Sequence, residues 1–94
     1  MKAAFFEAQK FRHAENISWR HVEGEAVILD LNTSVYFSVN ESGVIVWERI
    51  GGGATFAEIQ EAIRREYSVE PDRARQDVET LLKQFLKAKL IVSS

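Results

Sequence analysis

A chain of 94 residues, 46% apolar and 28% charged, can build one hydrophobic core but not two lobes around a cleft. It contains no cysteine, which excludes disulfide frameworks, thiolate nucleophiles and cysteine-held zinc. A net charge of −2 argues against attachment to nucleic acid by phosphate neutralisation.

The first sixteen residues carry two short apolar pairs, Ala3-Ala4 and Phe5-Phe6. They lack the central apolar stretch of a signal peptide. No apolar run exceeds four residues, so no segment reads as a membrane span. The expected setting is the cytoplasm, with no membrane partner. Residues 1–16 read as an extension without assigned structure, and residues 17–94 as the folded domain.

From Ile17 to Val39 the pattern is β-branched and short-period, broken by turn formers. Ile17 and Trp19 share one face of a first strand. Glu23-Gly24 offers a two-residue hairpin loop. Ala26-Val27-Ile28-Leu29 reads as a central strand, and residues 30–34 as a turn. In the third predicted strand Val35, Phe37 and Val39 lie on one face, Tyr36 and Ser38 on the other. Three such runs predict an antiparallel meander.

After Val39 the period lengthens to that of a helix. Asn40 caps a first helix to Ile50, with Val44, Val46, Trp47 and Ile50 inward. Gly51-Gly52-Gly53 ends it. Thr55 to Glu58 is a capping box, opening a second helix to about Glu66 with Phe56, Ile59, Ile63 and Tyr67 as its buried stripe. Pro71 sits in the first turn of a third helix reaching about Lys89, followed by Leu90-Ile91-Val92. Ala74, Val78, Leu81 and Phe85 form the central stripe of that helix. Leu82 and Arg75 fall on one flank, Asp77 on the other. The apolar arc is wider than a surface helix needs, so one flank can line a groove. The predicted class is α+β: an N-terminal three-stranded antiparallel sheet followed by three helices.

No catalytic constellation emerges. His13 and His21 have no ligand partner nearby in sequence and read as surface histidines of strands. Glu58, Glu61 and Glu66 share their helix with Arg64 and Arg65, a salt-bridged solvated face. The glycine triplet follows a helix and precedes no Gly-Lys-Ser/Thr, so it is no phosphate cradle. Ser42-Gly43 lacks the glycine pattern of a nucleophile elbow. The expectation is a binding module, not an enzyme, with no cofactor and no metal.

The run Val27-Ile28-Leu29-Asp30-Leu31-Asn32-Thr33-Ser34-Val35-Tyr36-Phe37-Ser38-Val39-Asn40-Glu41-Ser42-Gly43-Val44-Ile45-Val46-Trp47 resembles the PqqD-like family, the recognition elements of pathways that modify ribosomally made peptides. The series continues through Gly52-Gly53-Ala54-Thr55, Tyr67-Ser68-Val69, Asp77-Val78, Leu81-Leu82, Phe85 and Leu90-Ile91, so that the resemblance spans about residues 17–92. The chain departs from the family pattern at Ser34 and Lys89, where glycine is common, and at Val39, where leucine is.

The resemblance implies a winged-helix-like domain that binds the leader segment of a precursor peptide. The leader adds as a strand to the edge of the third predicted strand, packs on the third helix, and is presented to a maturation enzyme. The peptide-binding residues so implied are Val35, Tyr36, Phe37 and Ser38 on the strand, with Arg75, Val78 and Leu82 on the helix. The flank with Asp77 is the alternative. Of the two settings the family offers, we favour a lasso-peptide protease and cyclase system. A chaperone for the pyrroloquinoline quinone precursor, partnered by a radical SAM enzyme, is the alternative. An exposed strand edge can also pair with a second copy, giving a homodimer.

The rival class is a winged-helix DNA-binding protein. Arg73, Arg75, Lys83, Lys87 and Lys89 outnumber Asp72, Asp77 and Glu79 by two along the third helix. Against this, the strands precede the helices and too little chain follows the third helix for a wing. The overall charge is also acidic, so nucleic acid is disfavoured as a partner.

Overall fold

The computed structural model describes residues 5–94. The elements run β1 (Phe11–His13), β2 (Ile17–Val22), β3 (Glu25–Asp30), β4 (Val35–Val39), α1 (Glu41–Gly51), α2 (Phe56–Tyr67), α3 (Pro71–Lys87) and β5 (Ile91–Ser93). The α+β class and the predicted meander hold: β2, β3 and β4 form an antiparallel sheet in that order. Its register places Ile28 between Trp19 and Phe37, and Leu29 between Ser18 and Tyr36. The third predicted strand is therefore β4.

A second sheet was not expected from the sequence. β1 pairs antiparallel with β5, Phe11 opposite Ser93 and His13 opposite Ile91. The segment before β1 is also built in. Phe5 is buried and meets Phe11 and Phe56 edge-on. The carbonyls of Gln9 and Glu7 accept from the backbone N–H groups of Phe56 and Ala57, which are otherwise unpaired donors of the first turn of α2. Part of the stretch given no structure from the sequence thus completes the core and caps a helix.

Local chemistry fixes the helix ends. The side chain of Asn40 accepts from Gly43 N–H, as expected, and Thr55 and Glu58 form the capping box. At the end of α3 the N–H of Leu90 donates to Phe85 C=O and that of Lys89 to Leu86 C=O, a Schellman motif. Its left-handed position is Lys89, at φ 62°. The β3–β4 turn has its own left-handed residue, Ser34, also at φ 62°. Both departures from the family's glycines therefore fall where glycine alone is free of steric strain.

The core gathers Ala26, Ile28, Val39, Val46, Trp47, Ile50, Phe56, Ile59, Val78 and Leu82 between the larger sheet and the helices. His13 is not the surface residue expected. It stacks on Trp47 with ring centroids 3.7 Å apart, and its Nε2–H donates to the Trp47 carbonyl at 2.8 Å. Burial lowers its pKa below the ordinary histidine value, against the opposing pull of that bond. His21 does lie on the surface and meets Glu48 at 2.7 Å.

Candidate functional site

β4 is an outer strand of its sheet. One side pairs with β3; on the other, alternate residues present both their N–H and C=O groups unpaired. The strand carries no lysine, proline or other device that blunts an edge. Tyr36 is 67% exposed and Val35 48%, while Phe37 and Val39 pack toward the core. Phe37, Val39 and Tyr36 thus keep the sides their alternation predicts, whereas Val35, expected on the face of Phe37, is exposed at the turn end of the strand.

A groove of about 430 Å³ opens where β4 passes into α1. Asn40, Glu41 and Ser42 form its rim at the start of α1; Ile63, Tyr67 and Val69 come from α2 and the turn after it; Asp77, Val78 and Leu81 come from α3. Its wall is mainly apolar because Ile63, Val69, Val78 and Leu81 converge on it from α2, the turn after it and α3. Ser68, in the left-handed conformation, caps α2 and turns the chain so that Val69 also reaches the groove.

Three geometric details hold rim and edge together. Gly43 lies so close to β4 that a Cβ there would fall 2.2 Å from Val39 Cγ1, which seats the first turn of α1 on the strand. Asn40 Oδ1 accepts from Gly43 N–H at 3.0 Å and from Ser42 Oγ–H at 3.2 Å. Asp30, at the far end of the β3–β4 hairpin, takes Ser34 N–H on its carbonyl and Asn32 N–H on its carboxylate. The edge strand is thereby pinned at both ends.

Two of the helix residues expected at the site are elsewhere. Leu82 is fully buried and borders no groove. Arg75 lies on the same flank and meets Glu7 at 3.5 Å. The buried stripe of α3 is Ala74, Val78, Leu82 and Phe85, spaced four, four and three, so the face that meets the core is turned toward Leu82 and away from Leu81. The opposite flank, with Asp77, is the open one. Val78 forms the groove floor, and Leu81, expected in the core, is only half-buried and lines it. Tyr67, expected in the buried stripe of α2, is 38% exposed. Its hydroxyl pKa is raised, first by partial desolvation and then by the charges of Glu41 and Glu66.

The sequence reading missed Glu41, Ile63, Tyr67, Val69 and Leu81 as groove residues. Spacing alone could have found Leu81, which lies one turn from Asp77. The chemistry of this site is recognition: unpaired backbone groups, an apolar trough beside them and a carboxylate rim.

Two solved structures share the fold. One is TbiB1 in complex with the TbiA(beta) leader peptide, at 28% identity and a TM-score of 0.81, covering 85% of this chain and 93% of that one. The other is a lasso peptide synthetase B1 complexed with the leader peptide, at 23% identity and a TM-score of 0.82, covering 88% and 98%. No curated protein matches this sequence. The profile of the family described as coenzyme PQQ synthesis protein D (PqqD) matches residues 25–91, a span that runs from the central strand of the larger sheet into β5 and takes in the whole groove: the chain belongs to the PqqD family.

Proposed function

We propose that this protein binds the leader segment of a ribosomally made precursor peptide and presents it to a maturation enzyme, without chemistry of its own. The leader lies as a fourth strand along β4, and side chains on its inner face enter the groove between α1, α2 and α3. The observation that carries this reading is the union of an unguarded edge strand with an apolar groove at its end, in a fold shared with TbiB1, whose solved complex holds a leader peptide.

Strand addition suits the task. Backbone pairing gives affinity with little demand on sequence, and pockets for alternate side chains give selectivity. The fold shared with the leader complexes of TbiB1 and of a lasso peptide synthetase B1 supports a lasso-peptide system with a leader protease. The family description supports the alternative, a pyrroloquinoline quinone precursor with a radical SAM partner.

A fluorescently labelled leader peptide of a ribosomally made precursor, beginning with the TbiA(beta) leader, titrated by anisotropy, tests the proposal. Binding should be lost in Tyr36→Pro, which removes a donor and distorts the edge. Retention of full affinity by a folded Tyr36→Pro protein refutes strand addition at β4. The purified protein should leave the mass of the precursor unchanged until its enzyme is added. A mass change by the protein alone refutes the non-catalytic reading.

A further inference from the structure

The groove is apolar on its walls, but its charges are of one sign where they are free. Glu41 is exposed at the rim and makes no ion pair among the described residues. Asp77 stands on the facing helix and is held at 3.3 Å by Arg73, so that the pair is near neutral. The carboxy-terminal end of α2, at Tyr67, also lies at the groove, and a helix end of that kind carries partial negative charge. The positive end of α1 is opposed locally, because Asn40 occupies the Gly43 N–H and Glu41 itself sits in the first turn. The Tyr67 hydroxyl pKa is raised first by desolvation, and the charges of Glu41 and Glu66 add to that shift in the same direction.

We infer that the peptide docked beside β4 carries a lysine or arginine next to the apolar residue that fills the groove, and that Glu41 reads it. This rests on the leader-binding reading and adds the charge class of the ligand. The apolar anchor occupies the trough of Ile63, Val69, Val78 and Leu81, and its basic neighbour reaches the rim at the β4–α1 corner. An acidic residue at that place meets Glu41 directly and is rejected, so one carboxylate supplies both attraction and exclusion.

A library of random short peptides displayed on phage and panned on the full chain tests this. An enriched peptide and its version with the basic residue changed to glutamate are then titrated against the wild type, Glu41→Gln, Glu41→Lys and, as a remote change of the same charge, Glu15→Lys. Enriched peptides should pair an aliphatic or aromatic residue with an adjacent lysine or arginine. Reversing the peptide charge should weaken binding to the wild type about two- to tenfold, since an exposed ion pair is lost and a like-charge contact of similar size replaces it. Glu41→Lys should lose affinity for the original peptide and regain it for the reversed one. Glu41→Gln should fall between, and Glu15→Lys should behave as wild type.

Backbone N-methylation of the peptide at alternate residues measures strand pairing whether or not a proline variant folds. Peptides that N-methylation disables, but that show no basic preference and no response to Glu41→Lys, overturn the charge assignment and leave strand addition standing. Peptides indifferent to N-methylation, or a library that yields no binder, overturn strand addition and this inference with it.

Discussion

Leu81 and Leu82 are neighbours in sequence with opposite expected roles, and truncating each in turn separates the core from the groove. Leu82 is fully enclosed. Replacing such a leucine by alanine removes its burial and leaves a cavity, at a cost of about 2–5 kcal/mol. A domain of this size holds roughly 5–14 kcal/mol in all, and each kcal/mol lost moves its melting point by about 4–8 °C. A loss near ~3 kcal/mol therefore lowers the Tm of Leu82→Ala by roughly 12–24 °C. Leu81 is only half-buried against the core and faces the groove. Its truncation should cost about 1 kcal/mol of stability while weakening the bound peptide by about 1 kcal/mol or more. Thermal melts by circular dichroism, run beside anisotropy titrations well below both melting points, measure the two quantities separately. If Leu81→Ala proves the more destabilising, or if Leu82→Ala impairs binding by the folded fraction and Leu81→Ala does not, the assignment of the flanks is wrong.

Lys89→Gly should raise stability by about 0.5–1 kcal/mol, seen as a higher midpoint in urea, because it relieves a left-handed residue at the Schellman position; a lower midpoint counts against the strain argument. His13 predicts a pH effect of definite sign. Its folded-state pKa lies below its unfolded value, so the unfolded chain takes up protons first and stability falls as pH drops through the ordinary histidine range toward the lowered value. The melting point should decline between about pH 7 and 5, and more steeply than in His13→Gln; equal slopes in the two proteins refute the assignment.

The elements that could be read from the sequence are those whose causes are local. Thr55 and Glu58 specify a helix start within four residues, and Asn40 does the same for α1. The alternation from Tyr36 to Val39 gives the faces of β4 without knowledge of its neighbours. Three features depend on contacts between distant parts of the chain, and they could not be read. The β1–β5 pair joins short strands from opposite ends of the chain, each with little periodicity of its own. Which flank of α3 turns inward is decided by its packing against α1, α2 and β5, so Leu82 and Leu81 exchange the places that spacing alone assigns them. Tyr67 fits the apolar stripe of α2, yet it is the last residue of that helix and borders the open groove between α1 and α3.

The pairing of β1 with β5 has a consequence for how far the domain can be trimmed. The family profile begins at residue 25, yet β5, where that profile ends, has β1 as its strand partner, and Phe5 and Phe11 are buried ahead of it. A fragment cut back to the profile would therefore strip β5 of its partner and open the core at two phenylalanines, although β4 and its groove, on the other sheet, would keep every residue. The part that meets the peptide and the part that holds the fold closed are thus separable in sequence but not in stability.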